Sequence, residues 1–240
     1  MDTYGLEEGY NSAQAKVDIV FLHGLRGDMH GTWTKDGVIW PKDLLPKDVP
    51  ESRIFLFGFD SGIVHRDQSS RSGSGTADRP IILVAHSLGG LVATQAFVHG
   101  EQKAETSDAK AITKNLRGLI FLGTPFQGSP SARLAEAARK ILKLLKVNTQ
   151  EHTQRLLGVD SERLDELTRA FPDLLNKRRM SRKPEDKIDA FFCYETLKTQ
   201  YILGCGDCAP IRADHLNICK FNKNTDEGYP LRHGASHTLT

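Results

Sequence analysis

Four short runs of apolar and β-branched residues recur between residues 17 and 122, and each closes on Gly, Asp, Ser or Thr. They cover residues 17–22, 53–59, 81–85 and 116–122. Runs of this length that are apolar throughout are typical of strands buried on both faces of a parallel sheet. A helical pattern over 88–98 separates the third run from the fourth, so we predict an α/β fold with right-handed crossovers.

Later segments carry further signals of helix, strand and loop. Residues 131–146 place apolar side chains on one face and basic ones elsewhere, which predicts an amphipathic helix. Residues 161–171 begin with Ser and continue with acidic residues, as a second helix does. Residues 189–196 are predicted to form a late strand. The Ser-, Gly- and Thr-rich stretch 68–78 is predicted to be a flexible loop.

The length of 240 residues lies between one and two domains of about 150 residues each, which favours one large domain. We place this domain at 17–230. Residues 1–16 are polar and lack periodicity, so we expect a flexible lead-in there. Residues 231–240 form a polar tail.

Composition and charge narrow the functional classes. Lys and Arg number 32 against 30 Asp and Glu, and a net charge of +2 gives no support to nucleic-acid binding. No apolar run approaches the roughly 18 residues of a membrane-spanning helix, and the start has no signal-peptide pattern. We therefore expect an intracellular, most simply cytoplasmic, protein whose four cysteines are reduced thiols.

The sequence around Ser87 carries the strongest chemical signal. The predicted strand 81–85 runs into His86-Ser87-Leu88-Gly89-Gly90 and then into a helix, the context of a nucleophile elbow. Small residues on both sides of the serine permit the tight turn that exposes its hydroxyl above the sheet. The simpler interpretation, a serine that only caps the helix, does not explain the buried strand in front of it.

An acyl-transfer enzyme of this kind also needs backbone N–H groups that bind an oxyanion. The amide of Leu88, directly after the nucleophile, is the first candidate. The amide of Leu25, in the His23-Gly24-Leu25 turn after the strand 17–22, is the second.

The general base is expected to be a histidine after the last strand, because this arrangement orders its residues as Ser, acid, His. Among nine histidines, His215 is the candidate that fits this order. His86 is adjacent to Ser87, and we expect its side chain to point away.

The acid is less well defined by the sequence. Asp207 precedes His215 by eight residues and follows the apolar stretch 201–203, so we predict that it orients His215. Glu195, at the end of the preceding strand, is the alternative. Asp214 is adjacent to His215 and badly aimed for this role.

A competing metal site uses some of the same residues. Cys205, Cys208, His215 and Cys219 form C-x2-C-x6-H-x3-C, which approximates the ligand types of a structural zinc site. A base for Ser87 accounts for His215 better, so the expected site contains no metal.

Five segments in chain order resemble the lipase-like serine esterases grouped with the serine active site containing proteins, within the α/β-hydrolase superfamily. They read VFLHGLRGDMHGTWT, IFLFGFDS, RPIILVAHSLGG, LIFLGTPFQGS and DHLNICKF. The resemblance is strongest to the fungal branch, often found as the N-terminal hydrolase domain of NLR-type proteins. It implies an α/β-hydrolase fold, a mostly parallel sheet with helices on both faces and a helical cap insert at 129–190.

The same resemblance implies a function. Ser87 would be the nucleophile and His215 the base of an enzyme that hydrolyses small-molecule or lipid esters without a cofactor. Peripheral membrane contact, protein partners in an NLR-type system, and association with the mitochondrion or endoplasmic reticulum are further expectations from the family.

The chain departs from the family in three places. The polar stretch 62–79 stands where the family has a crossover helix, and 199–213 is shorter than the family's acid region. Phe126 replaces a histidine of the family's GTPHRGS-like loop. These departures leave two hypotheses: an active serine esterase, or a degenerate hydrolase domain that serves as an interaction or sensor module.

Overall fold

The computed structural model describes residues 4–25, 27–59, 79–102, 108–126, 161–195 and 206–229. The strands are β1 (Gly5–Asn11), β2 (Val17–Leu22), β3 (Thr34–Lys35), β4 (Val38–Ile39), β5 (Ser52–Gly58), β6 (Ile81–His86), β7 (Leu116–Leu122), β8 (Asp189–Glu195) and β9 (Asp207–Ile211). The helices are α1 (Trp40–Asp43), α2 (Leu45–Asp48), α3 (Gly89–Gln102), α4 (Asp108–Asn115) and α5 (Ser161–Arg179). Within the described ranges, no helix is long and apolar enough to cross a membrane.

Seven of the strands form one sheet in the order β1-β5-β2-β6-β7-β8-β9. All neighbouring strands in it are parallel except β1 and β5. The five runs that the sequence indicated as strands are β2, β5, β6, β7 and β8, and the helical pattern after the third run is α3. The predicted α/β architecture is therefore confirmed.

The expected flexible lead-in at 1–16 is wrong for residues 5–11. They form β1, which pairs antiparallel with β5 and places Gly5 opposite Gly58 and Asn11 opposite Arg53. β1 is an edge strand and only partly buried, so its sequence needs few apolar residues. That is why hydrophobic periodicity did not reveal it.

The sheet carries a hydrophobic core on each face. Successive side chains of β6 alternate between them, with Ile82 and Val84 in one core and Leu83 and Ala85 in the other. The first core is completed by Trp40 of α1, Leu45 of α2 and the segment 218–229. The second is completed by α3 and α5, so helices cover both faces.

The C-terminal part of the expected cap insert, 129–190, belongs to this second core. Phe171 of α5 is fully buried and packs edge-on against Phe97 of α3 and Phe121 of β7, with ring centroids 5.9 and 6.0 Å apart. Helix α5 also continues past Pro172 to Arg179, beyond the predicted end at residue 171. We therefore correct the cap boundary: 161–179 is a crossover helix packed on the sheet, followed by β8.

Several predictions concern residues outside the described ranges. These are the loop 68–78, the amphipathic helix 131–146, the tail 231–240, and nearly all of 62–79, where the family has its additional crossover helix.

Parallel pairing brings the carboxyl ends of the central strands to one edge of the sheet. Leu22 of β2 lies opposite Ala85 of β6, and His86 lies opposite Leu122 of β7. The residues that come after these strands therefore meet at the same edge. The candidate site lies there.

Candidate active site

Ser87 occupies the turn between β6 and α3 in a left-handed conformation, with φ of +54°. This conformation is uncommon for a residue other than glycine and is a form of strain found at functional turns. The Ser87 N–H donates a hydrogen bond to the Leu122 carbonyl of the adjacent strand at 2.9 Å, which anchors the turn. The side chain is nearly fully buried.

Glycines make this turn possible because the backbones approach closely. A Cβ atom added to Gly89 would lie 2.3 Å from the His23 carbonyl oxygen, and one added to Gly24 would lie 2.8 Å from the Ser87 Cβ. Both distances are shorter than carbon contacts in folded proteins allow. The turn after β2 therefore lies directly against the serine.

The Ser87 hydroxyl, the His215 ring and the Glu195 carboxylate form a continuous chain of hydrogen bonds. The distance from Ser87 Oγ to His215 Nε2 is 2.7 Å, and the distance from His215 Nδ1 to Glu195 Oε1 is also 2.7 Å. All three residues are at most 5% exposed. Ser87, Glu195 and His215 are far apart along the chain, and the fold brings them together in one hydrogen-bonded group.

The carboxylate fixes the proton positions in this group. An ionised Glu195 can only accept, so His215 donates from Nδ1–H, and the neutral ring then accepts the Ser87 O–H proton at Nε2. This tautomer leaves Nε2 ready to take a proton from the serine. The arrangement has the geometry of an activated nucleophile and its base.

The carboxylate that contacts His215 is Glu195, not Asp207. Asp207 opens β9 opposite Phe191 and is exposed, whereas Glu195 lies opposite Ile211, four positions further along the pair. At about 3.3 Å of rise per residue, Asp207 is set back roughly 13 Å from the edge that holds His215. The prediction that Asp207 orients His215 is wrong. Glu195, the alternative, makes the contact.

The two residues expected to provide oxyanion-binding amides lie at the same edge. Leu88 follows Ser87 directly before α3, and Leu25, buried, follows the Gly24 that lies against Ser87. Their roles remain predictions.

Two other histidines, both buried, surround the site. The ring of His23 stacks on Phe59 at 4.4 Å, accepts the Phe59 N–H at Nε2 and donates from Nδ1 to the Gly24 carbonyl at 2.8 Å. Burial lowers the pKa of His23 and so favours this neutral form. His86 does not point away from the site as expected: its Nε2 lies 2.9 Å from the His215 carbonyl oxygen.

The loop after β7 lines the other side of the group. Gly123, with φ of +62°, passes beside the His215 ring, and a Cβ there would lie 3.4 Å from Nδ1. Phe126, where the resembling family has histidine, is half-buried and packs against Phe121 and Phe171. It therefore extends the second core up to the edge that carries Ser87.

The alternative zinc arrangement is not formed by the described residues. Both ring nitrogens of His215 are engaged, and the buried Cys219 thiol contacts the Thr32 carbonyl. Cys208 is exposed on β9, and Cys205 lies outside the described residues. Across the described part of the chain, no group of three or more potential ligands is gathered.

Comparison of whole folds decides the architecture. The crystal structure of Bacillus licheniformis lipase BlEst2 in mature form matches with a TM-score of 0.51 over 98% of each chain. The fold is that of the α/β hydrolases. At 16% identity, the α/β-hydrolase likeness extends to the fold and no further.

Sequence comparison finds distant relatives. Protein SERAC1 of Mus musculus is 29% identical over 249 residues, covering 87% of this chain and 37% of that protein. Protein SERAC1 of Homo sapiens is 28% identical over 261 residues, covering 92% of this chain and 38% of that protein. The chain thus spans less than two fifths of the length of these relatives. No family model matches it.

Proposed function

We propose that this chain is a serine hydrolase that cleaves carboxylic esters through an acyl-enzyme. The observation that supports the proposal most directly is the buried series of hydrogen bonds from Ser87 through His215 to Glu195, each 2.7 Å long. Such a series activates a hydroxyl that is otherwise a weak nucleophile.

In the acylation half of the reaction, the Ser87 oxygen attacks the acyl carbonyl carbon while its proton moves to His215 Nε2. The carbonyl oxygen becomes an oxyanion, held by the amides of Leu25 and Leu88. The tetrahedral intermediate then collapses. The bond to the leaving oxygen breaks, His215 returns the proton to that oxygen, and the alcohol departs.

In the deacylation half, water repeats the attack on the acyl-serine. His215 takes a proton from the water, and the same backbone amides bind the new oxyanion. When the intermediate collapses, the Ser87 oxygen leaves and receives the proton from His215. The acid product is released and the enzyme returns to its starting state. The proton balance closes without a cofactor.

Glu195 has two roles in this scheme. It keeps the proton of neutral His215 on Nδ1, and its negative charge stabilises the imidazolium formed in each half. Because the pair is buried, the attraction acts in surroundings of low polarizability, where it is stronger than in water.

The proposed substrates are small-molecule or lipid esters with an apolar acyl group. The half-buried Phe126, in the loop after β7, and the half-buried Phe59, which follows β5 and stacks on His23, provide apolar surface near the nucleophile turn. As part of the same proposal, the protein works inside the cell, where Cys193, Cys208 and Cys219, unpaired in the structure, stay reduced.

A fluorophosphonate probe tests the proposal, because it forms a covalent bond only with an activated serine. We expect labelling of the wild type and none of Ser87→Ala. Ser181→Ala, in the turn after α5, should be labelled like the wild type. Absence of labelling in a folded wild-type sample would contradict the proposal and favour a degenerate domain that acts by binding.

A further inference from the structure

His86 makes a contact with His215 that the proposed mechanism does not use. Its Nε2 lies 2.9 Å from the His215 backbone carbonyl oxygen, and the two rings lie 5.2 Å apart between centroids. His86 is buried and directly precedes Ser87. The two adjacent residues therefore reach the same histidine, one at its ring and the other at its backbone.

The direction of this hydrogen bond is determined by chemistry. The His215 carbonyl oxygen can only accept, so His86 donates from Nε2–H. Burial, and secondarily the proximity of His215, lowers the pKa of His86 to about 3. His86 is thus a neutral donor under physiological conditions and adds no positive charge beside His215.

This contact differs from the two ring contacts of His215 in the proposed reaction. The Ser87 hydroxyl loses its proton and becomes an ester, and the ring itself alternates between neutral and protonated forms. The His215 carbonyl takes part in neither change. The bond from His86 is accordingly available in every state of the cycle.

The segment after His215 has a second anchor of the same kind. The Trp40 indole N–H donates to the Cys219 carbonyl at 2.9 Å, four residues further on. Asp214, on the other side, accepts the N–H groups of Leu216 and Asn217 and closes the turn. Among these contacts, the bond from His86 is the one made to His215 itself.

We propose that His86 is a positioning residue: its hydrogen bond to the His215 carbonyl holds the base within reach of the Ser87 hydroxyl throughout the reaction. The proposal rests on the proposed function, because it assigns His215 the role of base. A misplacement of about 1 Å at a reacting group can lower a rate by about 100-fold, so a backbone anchor of this kind has a measurable effect.

The test compares two variants of similar size. His86→Leu removes the donor, whereas the side-chain amide of His86→Gln places an N–H near the position of Nε2. We expect the rate of fluorophosphonate labelling and the kcat for a p-nitrophenyl ester to fall roughly 10- to 100-fold in H86L, with KM within about twofold. H86Q should recover most of the loss. Thermal melting confirms that each variant is folded.

A spectroscopic measurement separates this inference from the proposed function. The His215 Nδ1–H proton, bound to Glu195, gives a far-downfield proton resonance when the ring is held. We expect this resonance in the wild type and H86Q, and its loss or broadening in H86L, whether or not the protein turns over ester. If H86L does not fold, His86→Asn, whose amide is too short to reach, takes its place.

The outcomes are distinct. A folded wild type that the probe does not label contradicts the proposed function, while the resonance still tests the anchor. A labelled wild type with H86L equally fast, or an unchanged resonance in H86L, overturns the positioning role. Equal losses in H86L and H86Q would also overturn it, because the effect would then not depend on the donor.

Discussion

Glu195 Oε1 and His215 Nδ1 lie 2.7 Å apart at the carboxyl edge of the sheet, although β9 intervenes between them in the sequence. The two strands that lead to these residues, β8 and β9, are parallel. Both strands then end at the same edge. Glu195 is the last residue of β8, and His215 lies four residues after the end of β9.

Replacing Glu195 by Gln should nearly abolish ester hydrolysis while leaving the protein folded. The amide has the same shape but no charge, so it neither stabilises the imidazolium nor selects the required tautomer of His215. Loss of the equivalent charge in Ser-His-Asp enzymes costs about four orders of magnitude in kcat, and we expect a similar fall here. Steady-state kinetics with a p-nitrophenyl ester measure it.

The matched control is Asp207→Asn, which removes the carboxylate that the sequence favoured. Asp207 is exposed and lies at the opposite end of β9, so kcat should stay within about twofold of the wild type. A larger loss in D207N than in E195Q would contradict the placement of the acid.

How well the sequence predicted each residue of this site depends on how far apart along the chain its interacting partners lie. Ser87 was found from a continuous strand, turn and helix pattern, whose geometry is local. His215 was found from its order along the chain. Choosing between Asp207 and Glu195 required the position of each residue along its strand. The apolar stretch 201–203 suggested a strand that ends at Asp207, whereas β9 begins there.

Two features had no local signal at all. The contact of His86 joins residues 129 positions apart, and nothing in the turn itself shows which way the ring points. β1 is stabilised by backbone pairing at an edge, which places little demand on side chains. In both cases, long-range pairing determines the structure, and hydrophobic periodicity does not report it.

Substituting Ala for Gly89 should unfold the protein or destabilise it by more than about 3 kcal/mol, because the added methyl group would overlap backbone atoms of Leu22 and His23. Backbone carbonyls cannot move aside without disrupting the sheet. Gly9→Ala is the control, since its new Cβ would meet the flexible Lys42 side chain at 3.0 Å. Urea unfolding should show a normal transition for G9A. A normal transition for G89A would refute the close approach of strand and helix.

The left-handed conformation of Ser87 predicts a difference in stability between two inactive variants. Ala retains the steric cost of a positive φ, whereas Gly adopts it without a clash. We expect Ser87→Gly to be more stable than Ser87→Ala by about 1 kcal/mol in urea unfolding, after the greater freedom of Gly in the unfolded chain offsets part of the gain. Equal or reversed stabilities would show that the turn is not strained.

The buried His86 predicts how stability depends on pH. Its pKa falls from 6.5 to about 3 on folding, so between these values the unfolded chain binds a proton that the folded chain excludes. The contribution of His86 to stability is therefore intact above pH 6.5 and decreases by about 1.4 kcal/mol per pH unit as the pH falls towards 3. His86→Gln does not titrate, and its other groups match those of the wild type. The difference in unfolding free energy between wild type and H86Q, measured by urea unfolding from about pH 7.5 to about pH 4.5, should shift in favour of H86Q as the pH falls below 6.5. A difference that does not change with pH would show that His86 is not held neutral.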